Sequence, residues 1–150
     1  MITMGRILGI DYGTRRVGVA ISDPTAMLST PLSVEAVRSM EEAVAVVTRI
    51  ARDREVVKIV VGMPINMNGT MGAMALESGQ FVELLKAASG LPVDITDERL
   101  STSLVERMLV SADVSRSRRK EVRDKLAAQV ILQGYLDARD GGYPDLDQPT

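Results

Sequence analysis

The chain has 150 residues, 45% hydrophobic and 25% charged, with a net charge of −2; this suits one hydrophobic core and excludes a protein that coats nucleic acid by bulk attraction. It contains no cysteine and no histidine, so disulfides, thiolate metal sites and imidazole catalysis are excluded, and any hydrolysis must rest on carboxylates, hydroxyls, amines or a metal. No apolar run approaches the roughly 20 residues that span a bilayer, and Met1–Arg6 lacks an export signal, so a cytoplasmic protein without membrane contact is expected.

Two short apolar runs, Ile7 to Asp11 and Val17 to Ile21, flank a turn containing Gly13, which predicts a β-hairpin. Met27 to Val34 is expected to add a third antiparallel strand, edge-placed or irregular because of Pro31. Met40, Ala43, Val44, Val47, Ile50 and Ala51 recur at helical spacing and predict an amphipathic helix ending near Arg54. Val56 to Val61 is β-branched and almost wholly apolar, as a central strand covered on both faces must be. After a loop rich in Gly, Asn and Pro, the stripe Phe81, Leu84, Leu85, Ala88 marks a second helix closed by Gly90 and Pro92.

Val93 to Thr96 reads as a short strand. Ser103 with Glu106 matches a capping box and opens a helix to about Ala112. After a break at Asp113 to Arg116, a last helix covers about Arg119 to Arg139. The expected architecture is α/β, a mixed five-stranded sheet with an antiparallel opening meander and parallel crossover strands, flanked by helices. One domain over residues 1–139 and a flexible tail over 140–150 are expected.

Parallel crossovers bring strand carboxyl ends to one edge, where sites in open α/β sheets form. Asp11 closes the first strand there, although an Asx turn beside glycine would account for it equally. Glu98 follows the short strand at the same edge, or is a solvated acid paired with Arg99. Asp124 lies in line with Ala127, Ala128, Ile131, Tyr135 and Ala138 on one helical stripe. A carboxylate on a packing stripe calls for a cation, a metal or hydrogen bonds; a first-turn acid favoured by the helix dipole is the alternative. A second apolar row, Val122, Leu126 and Val130, leaves the inward side of that helix open. The three acids could form an all-oxygen site for Mg²⁺ or Mn²⁺.

Around this edge, Gly13 permits a tight turn, Thr14 offers a hydroxyl, and Arg15 and Arg16 could contact phosphate. Asn66 and nearby amides could orient a substrate. Six of the 18 basic residues, Arg116, Arg118, Arg119, Lys120, Arg123 and Lys125, crowd into ten positions, a candidate phosphate-binding patch or simply a solvated helix start. Aromatic residues are too few for a base-stacking platform, so backbone and shape should dominate any nucleic-acid binding.

The segment Ile10-Asp11-Tyr12-Gly13-Thr14-Arg15-Arg16-Val17-Gly18-Val19-Ala20 with Ser22-Asp23 resembles the opening motif of the YqgF/RuvX family. Gly62-Met63-Pro64 through Asn68-Gly69, Asp97-Glu98-Arg99-Leu100-Ser101-Thr102, and Asp124-Lys125-Leu126-Ala127-Ala128-Gln129 with Ile131-Leu132-Gln133 and Tyr135-Leu136 match its further motifs in order. The resemblance implies an RNase H-like fold, an acidic triad of Asp11, Glu98 and Asp124, and a nucleic-acid substrate for a monomer or homodimer. It implies one of two functions: processing the 5′ end of pre-16S ribosomal RNA, or resolving Holliday junctions. Asn68 stands where the family often has Asp, and Ser101 where it often has Thr. Relative to RuvC resolvases, Ala127 and Ala128 leave the turn after Asp124 without a further carboxylate, which favours the first function. An actin-like ATPase shares the Asp-x-Gly-Thr turn but needs a second domain and leaves the Asp-Glu-Arg segment unexplained. A non-catalytic RNA-binding assembly factor is a further alternative, against which the retained acids count.

Overall fold

Strands β1 (Ile7–Tyr12) and β2 (Arg16–Ser22) form the expected antiparallel hairpin, with Leu8 opposite Ile21 and Tyr12 opposite Val17. In this computed structural model, which describes residues 5–63, 73–97 and 116–139, the turn closes through the Gly13 N–H donating to the Arg16 carbonyl at 2.9 Å. A Cβ at Gly13 would stand 2.9 Å from that oxygen, so only glycine fits without a shift.

Strand β3 (Ser29–Ala36) pairs antiparallel with β2, two residues later than the sequence pattern places it. The cause is Asp23, whose carboxylate accepts the N–H groups of Met27 (2.8 Å) and Leu28 (2.9 Å) and so keeps them out of the ladder. The register shifts where Val19 opposes Ser33 and Ala20 opposes Pro31, leaving Leu32 as the extra residue. A bulge beside a proline on an edge strand removes the pairing that proline cannot supply.

Helix α1 (Met40–Asp53) is capped by Ser39, whose hydroxyl accepts from the Glu42 N–H at 3.1 Å. It buries Ala43, Val44, Val47 and Ala51, with Met40 and Ile50 half-buried. The chain then spends the Val56 N–H on the Ala51 carbonyl and the Val57 N–H on that of Arg6. Strand β4 (Lys58–Met63) therefore starts two residues later than the β-branched run, parallel to β1 with Ile7 opposite Lys58 and Ile10 opposite Val61.

Helix α2 (Ala73–Ser89) corrects the stripe expected from sequence. Ala75, Ser78, Phe81, Val82 and Leu85 are buried, whereas Leu84 and Ala88 are exposed. Leucines and alanines occupy most of its circumference, so periodicity accepts two faces; Phe81, stacked on Tyr12 with ring centroids 4.4 Å apart, marks the one that packs. Strand β5 (Val93–Asp97) is parallel to β4 and completes the order β3-β2-β1-β4-β5. The helix expected from Ser103 to Ala112 lies outside the described residues.

Helix α3 (Arg116–Asp137) begins three residues before the expected start. It covers one face of the sheet, where Ala128, Ile131, Leu132 and Leu136 pack with Ile7, Ala20, Ala26 and Val60. Helices α1 and α2 cover the other, against Leu8, Ile10, Tyr12, Val17, Val19, Ile59 and Val61. The inward side of α3 thus carries Ala128 and Ile131 of the expected stripe together with Leu132 and Leu136, which neither row included; Ala127, Tyr135 and Ala138 of that stripe are half-buried, as are Leu126 and Val130 of the second row.

α3 crosses β1 at Gly9. A Cβ there would lie 2.6 Å from the Leu132 Cβ and 3.2 Å from the Ala128 carbonyl oxygen, contacts that no rotamer change relieves. Gly9→Ala is expected to cost about 1–3 kcal/mol of stability, measured by urea unfolding; an unchanged midpoint would show that the helix can lift without penalty.

Candidate active site

Strand alternation puts Ile7, Gly9 and Asp11 on the α3 side of β1, and Leu8, Ile10 and Tyr12 on the other. Since β1, β4 and β5 run parallel, their carboxyl ends share one edge. Asp11 is half-buried at this edge. Its cross-strand partner on β2 is Gly18, and on β4 the residue after Val61, which opposes Ile10, is Gly62. Both flanking positions in its row are thus glycines. Tyr12 holds the strand from the opposite face through Phe81. Burial, then the nearby Glu77 and Glu41, raise its phenol above the ordinary value.

α3 runs antiparallel to β1. Tyr135 reaches Lys58, opposite Ile7, while Ala128 and Leu132 meet Gly9. Two residues from Gly9 to Asp11 advance roughly 7 Å, and the turn from Ala128 back to Asp124 covers roughly 6 Å. The Asp124 position on α3 thus lies at the level of Asp11, one turn before Ala128 on the inward row. The Asp124 side chain lies outside the described set. Glu98 directly follows Asp97, the last residue of β5, and with Asn66 and Arg99 lies outside the described residues. Among the described residues no three acidic side chains gather around a common metal position.

Thr14, Arg15 and Arg16 are exposed at the β1–β2 turn beside Gly13, three to five residues beyond Asp11. Arg118 is exposed in the first turn of α3; Arg119 and Lys120 follow on the same helix, their side chains outside the described set. Because α3 is antiparallel to β1, the amino end carrying this basic run lies toward the Asp11 edge. Sequence reasoning missed Arg38, exposed where β3 leads into α1 at that same edge. It also missed Gln129 and Gln133, polar residues on α3 that pattern alone assigns to solvent.

Those glutamines fix the helix against β3. Gln133 accepts from the Ser29 N–H (2.9 Å) and donates to the Met27 carbonyl (3.0 Å), and Gln129 donates to the Ser29 carbonyl (3.2 Å). Toward β5, Lys58 lies 2.8 Å from Asp94 and donates to the Tyr135 hydroxyl at 2.7 Å, and that hydroxyl donates to Asp94 at 2.5 Å. Burial works to raise the Asp94 carboxyl, but the hydrogen bonds from Lys58 and Tyr135 outweigh it and hold the group below its ordinary value. Burial likewise works to lower the Lys58 ammonium, and its bonds to Asp94 and Tyr135 leave it raised. Ser22 and Asp23, the end of the opening motif, sit at the far edge: Ser22 accepts the Ile7 N–H at 2.8 Å, and Asp23 organises its own loop.

A depressed carboxyl stabilises the fold above the ordinary aspartate value of about 4, and that contribution vanishes as pH falls through the lower folded value. With Asp94 partly exposed, solvent screening limits its worth to about 1 kcal/mol. The stability gap between wild type and Asp94→Asn is expected to be constant near neutral pH and to close below about pH 4. A gap unchanged at pH 3 would show that the charge on Asp94 contributes nothing.

This sheet order with helices on both faces is the RNase H-like fold. Among solved structures, RuvC of T. thermophilus in complex with a Holliday junction substrate has a TM-score of 0.58 at 16% identity over 91% of this chain and 96% of that one. The fowlpox virus Holliday junction resolvase has a TM-score of 0.53 at 13% identity, over 89% and 99%. The family model described as "RuvX: Holliday junction resolvase" matches residues 5–138, and the chain belongs to the RuvX family. A protein of Symbiobacterium thermophilum named "Putative pre-16S rRNA nuclease" is 52% identical over 93% of this chain and 97% of its own length. One of the same name from Listeria monocytogenes is 50% identical over 88% and 97%.

Proposed function

We propose that this chain is a metal-dependent nuclease that hydrolyses phosphodiester bonds and processes the 5′ end of pre-16S ribosomal RNA. The observation that carries the reading is the placement of Asp11: a half-buried carboxylate between two glycines at the carboxyl edge of β1, with the Asp124 position at its level on α3. Nearly full-length relatives at about half identity bear the rRNA nuclease name. Asp11, Glu98 and Asp124 offer only carboxylate oxygens, a donor set that suits a hard cation such as Mg²⁺ or Mn²⁺. When bound, such an ion supplies positive charge to the phosphoryl oxygens and lowers the pKa of the attacking water.

The chain's own groups then hold the substrate. Arg15 and Arg16 lie beside Asp11, and Arg118, Arg119 and Lys120 lie along the first turns of α3, so phosphates on either side of the scissile bond meet guanidinium or ammonium groups. Gly13, Thr14, Asn66 and Arg99 complete the proposed contacts. We place the protein in the cytoplasm, as one domain over residues 1–139 with a tail over 140–150 and acting as a monomer or homodimer. No helix among the described residues is long and apolar enough to cross a membrane. Holliday junction resolution is the second reading, favoured by the description of the family model.

Wild type and Asp11→Asn should be assayed on a pre-16S leader RNA and on a four-way DNA junction with Mg²⁺ or Mn²⁺. The expected result is cleavage of the RNA, reduced on the order of 100-fold or more in the variant. Equal cleavage by the two proteins would reject Asp11 as a catalytic group, and cleavage of the junction alone would replace the RNA substrate with branched DNA.

A further inference from the structure

The β1–β2 turn and the β3–α1 corner are one structural unit. The Arg15 carbonyl accepts the Val37 N–H at 3.0 Å, and Arg16 stands opposite Ala36 in the ladder. The Gly13 N–H holds the Arg16 carbonyl from the other side. Val37 is buried in the core beneath α1 and α2, and its neighbour Arg38 is exposed, immediately before the capping residue Ser39. Arg15, Arg16 and Arg38 are therefore carried at one corner of the sheet by backbone hydrogen bonds, adjoining the edge that holds Asp11. A net charge of −2 makes such a local concentration of guanidinium groups stand out from the chain as a whole. At the opposite end of the sheet, Lys58 is engaged with Asp94.

We infer that Arg38, together with Arg15, forms a second phosphate-binding point, over which the nucleic-acid backbone leaves the Asp11 edge and crosses onto the β3–α1 corner. The inference rests on the nuclease reading and extends it from the cleavage site to the path of the strand. Guanidinium groups suit this role because they present several donors to phosphate oxygens at once. Backbone hydrogen bonds keep the attachment points of those side chains at a fixed separation from Asp11, so a strand held there is positioned as well as attracted. Contacts of this kind carry no sequence information, in keeping with the scarcity of aromatic side chains.

The test is binding of fluorescently labelled pre-16S leader RNA and of a labelled four-way DNA junction across a salt series, using Asp11→Asn to prevent cleavage. Arg38→Gln and Arg15→Gln are introduced into that background, with Arg52→Gln as control, since Arg52 is exposed in the last turn of α1 at the far end of the sheet. Each corner variant is expected to bind more weakly and to flatten the slope of log affinity against log salt by about 0.7–0.9, the release of one phosphate contact; the control should match its parent. If Arg38→Gln keeps the parental affinity and slope while the parent binds, the corner is not on the strand's path and the nuclease reading stands. If the parent binds neither nucleic acid, both fail together.

Discussion

The site depends on the contact between α3 and β1 at Gly9. A helix packed through ordinary side chains sits about 10 Å from a sheet, and here the absence of a Cβ lets the Leu132 Cβ and the Ala128 carbonyl approach the strand backbone directly. Close approach alone would leave the helix free to roll. Gln129 and Gln133 bind the first residues of β3 and its preceding loop, and Tyr135 binds across to β4 and β5, so rotation is opposed from both sides. The level of Asp124 over Asp11 follows from those restraints. They are placed in the second half of the helix, away from the basic run at its beginning.

Electrostatics explains why such restraint is useful. In the proposed site, carboxylates gathered at one edge would repel one another, and each would disfavour ionisation of the next unless positive charge intervened. A helix free to shift would relieve that repulsion by moving its acid away. Packing Ala128, Ile131, Leu132 and Leu136 into the sheet opposes the shift with hydrophobic burial, so that in the proposed site the repulsion would be held for a cation to neutralise. Under the same proposal the basic residues at the turn and on α3 would act on the substrate in that field, raising the local concentration of a polyanion that the overall charge would repel.

The hairpin, α1 and the buried central strand were legible in the sequence because their patterns are distinct: two short apolar runs around Gly13, a helical repeat with charged residues on its outer side, and a continuous β-branched apolar run. The α2 stripe was not, because Leu76, Leu84 and Ala88 make the outer side nearly as apolar as the inner, and only the packing of Phe81 on Tyr12 separates them. The starts of β3 and β4 were missed for a different reason. In both places N–H groups of strand-like residues bond to a local acceptor, the Asp23 carboxylate or the last turn of α1, and composition does not show that competition. Of the candidate site, the placement of Asp11 and the turn beside it at a strand end was readable; that of Arg38 was not, since one arginine before a serine carries no pattern until the Arg15–Val37 bond brings it to the same corner.

Two aspartates of the opening motif show how surroundings separate structure from chemistry. Asp23 accepts the N–H groups of Thr25, Met27 and Leu28 and the Thr25 hydroxyl, all from its own loop, and these bonds, that of Leu28 foremost, hold its carboxyl well below the usual carboxylate range. Its oxygens are committed to shaping the chain, and a cation would have to break the loop to reach them. Asp11 is set in regular strand, with the glycines Gly18 and Gly62 as its row neighbours. Under the proposed function its role is to help hold a cation at the carboxyl edge of β1, where neither neighbour in its row carries a side chain. Gly18→Val would place a branched side chain beside Asp11 in its row while keeping Asp11 itself, which separates the need for the carboxylate from the need for a small neighbour.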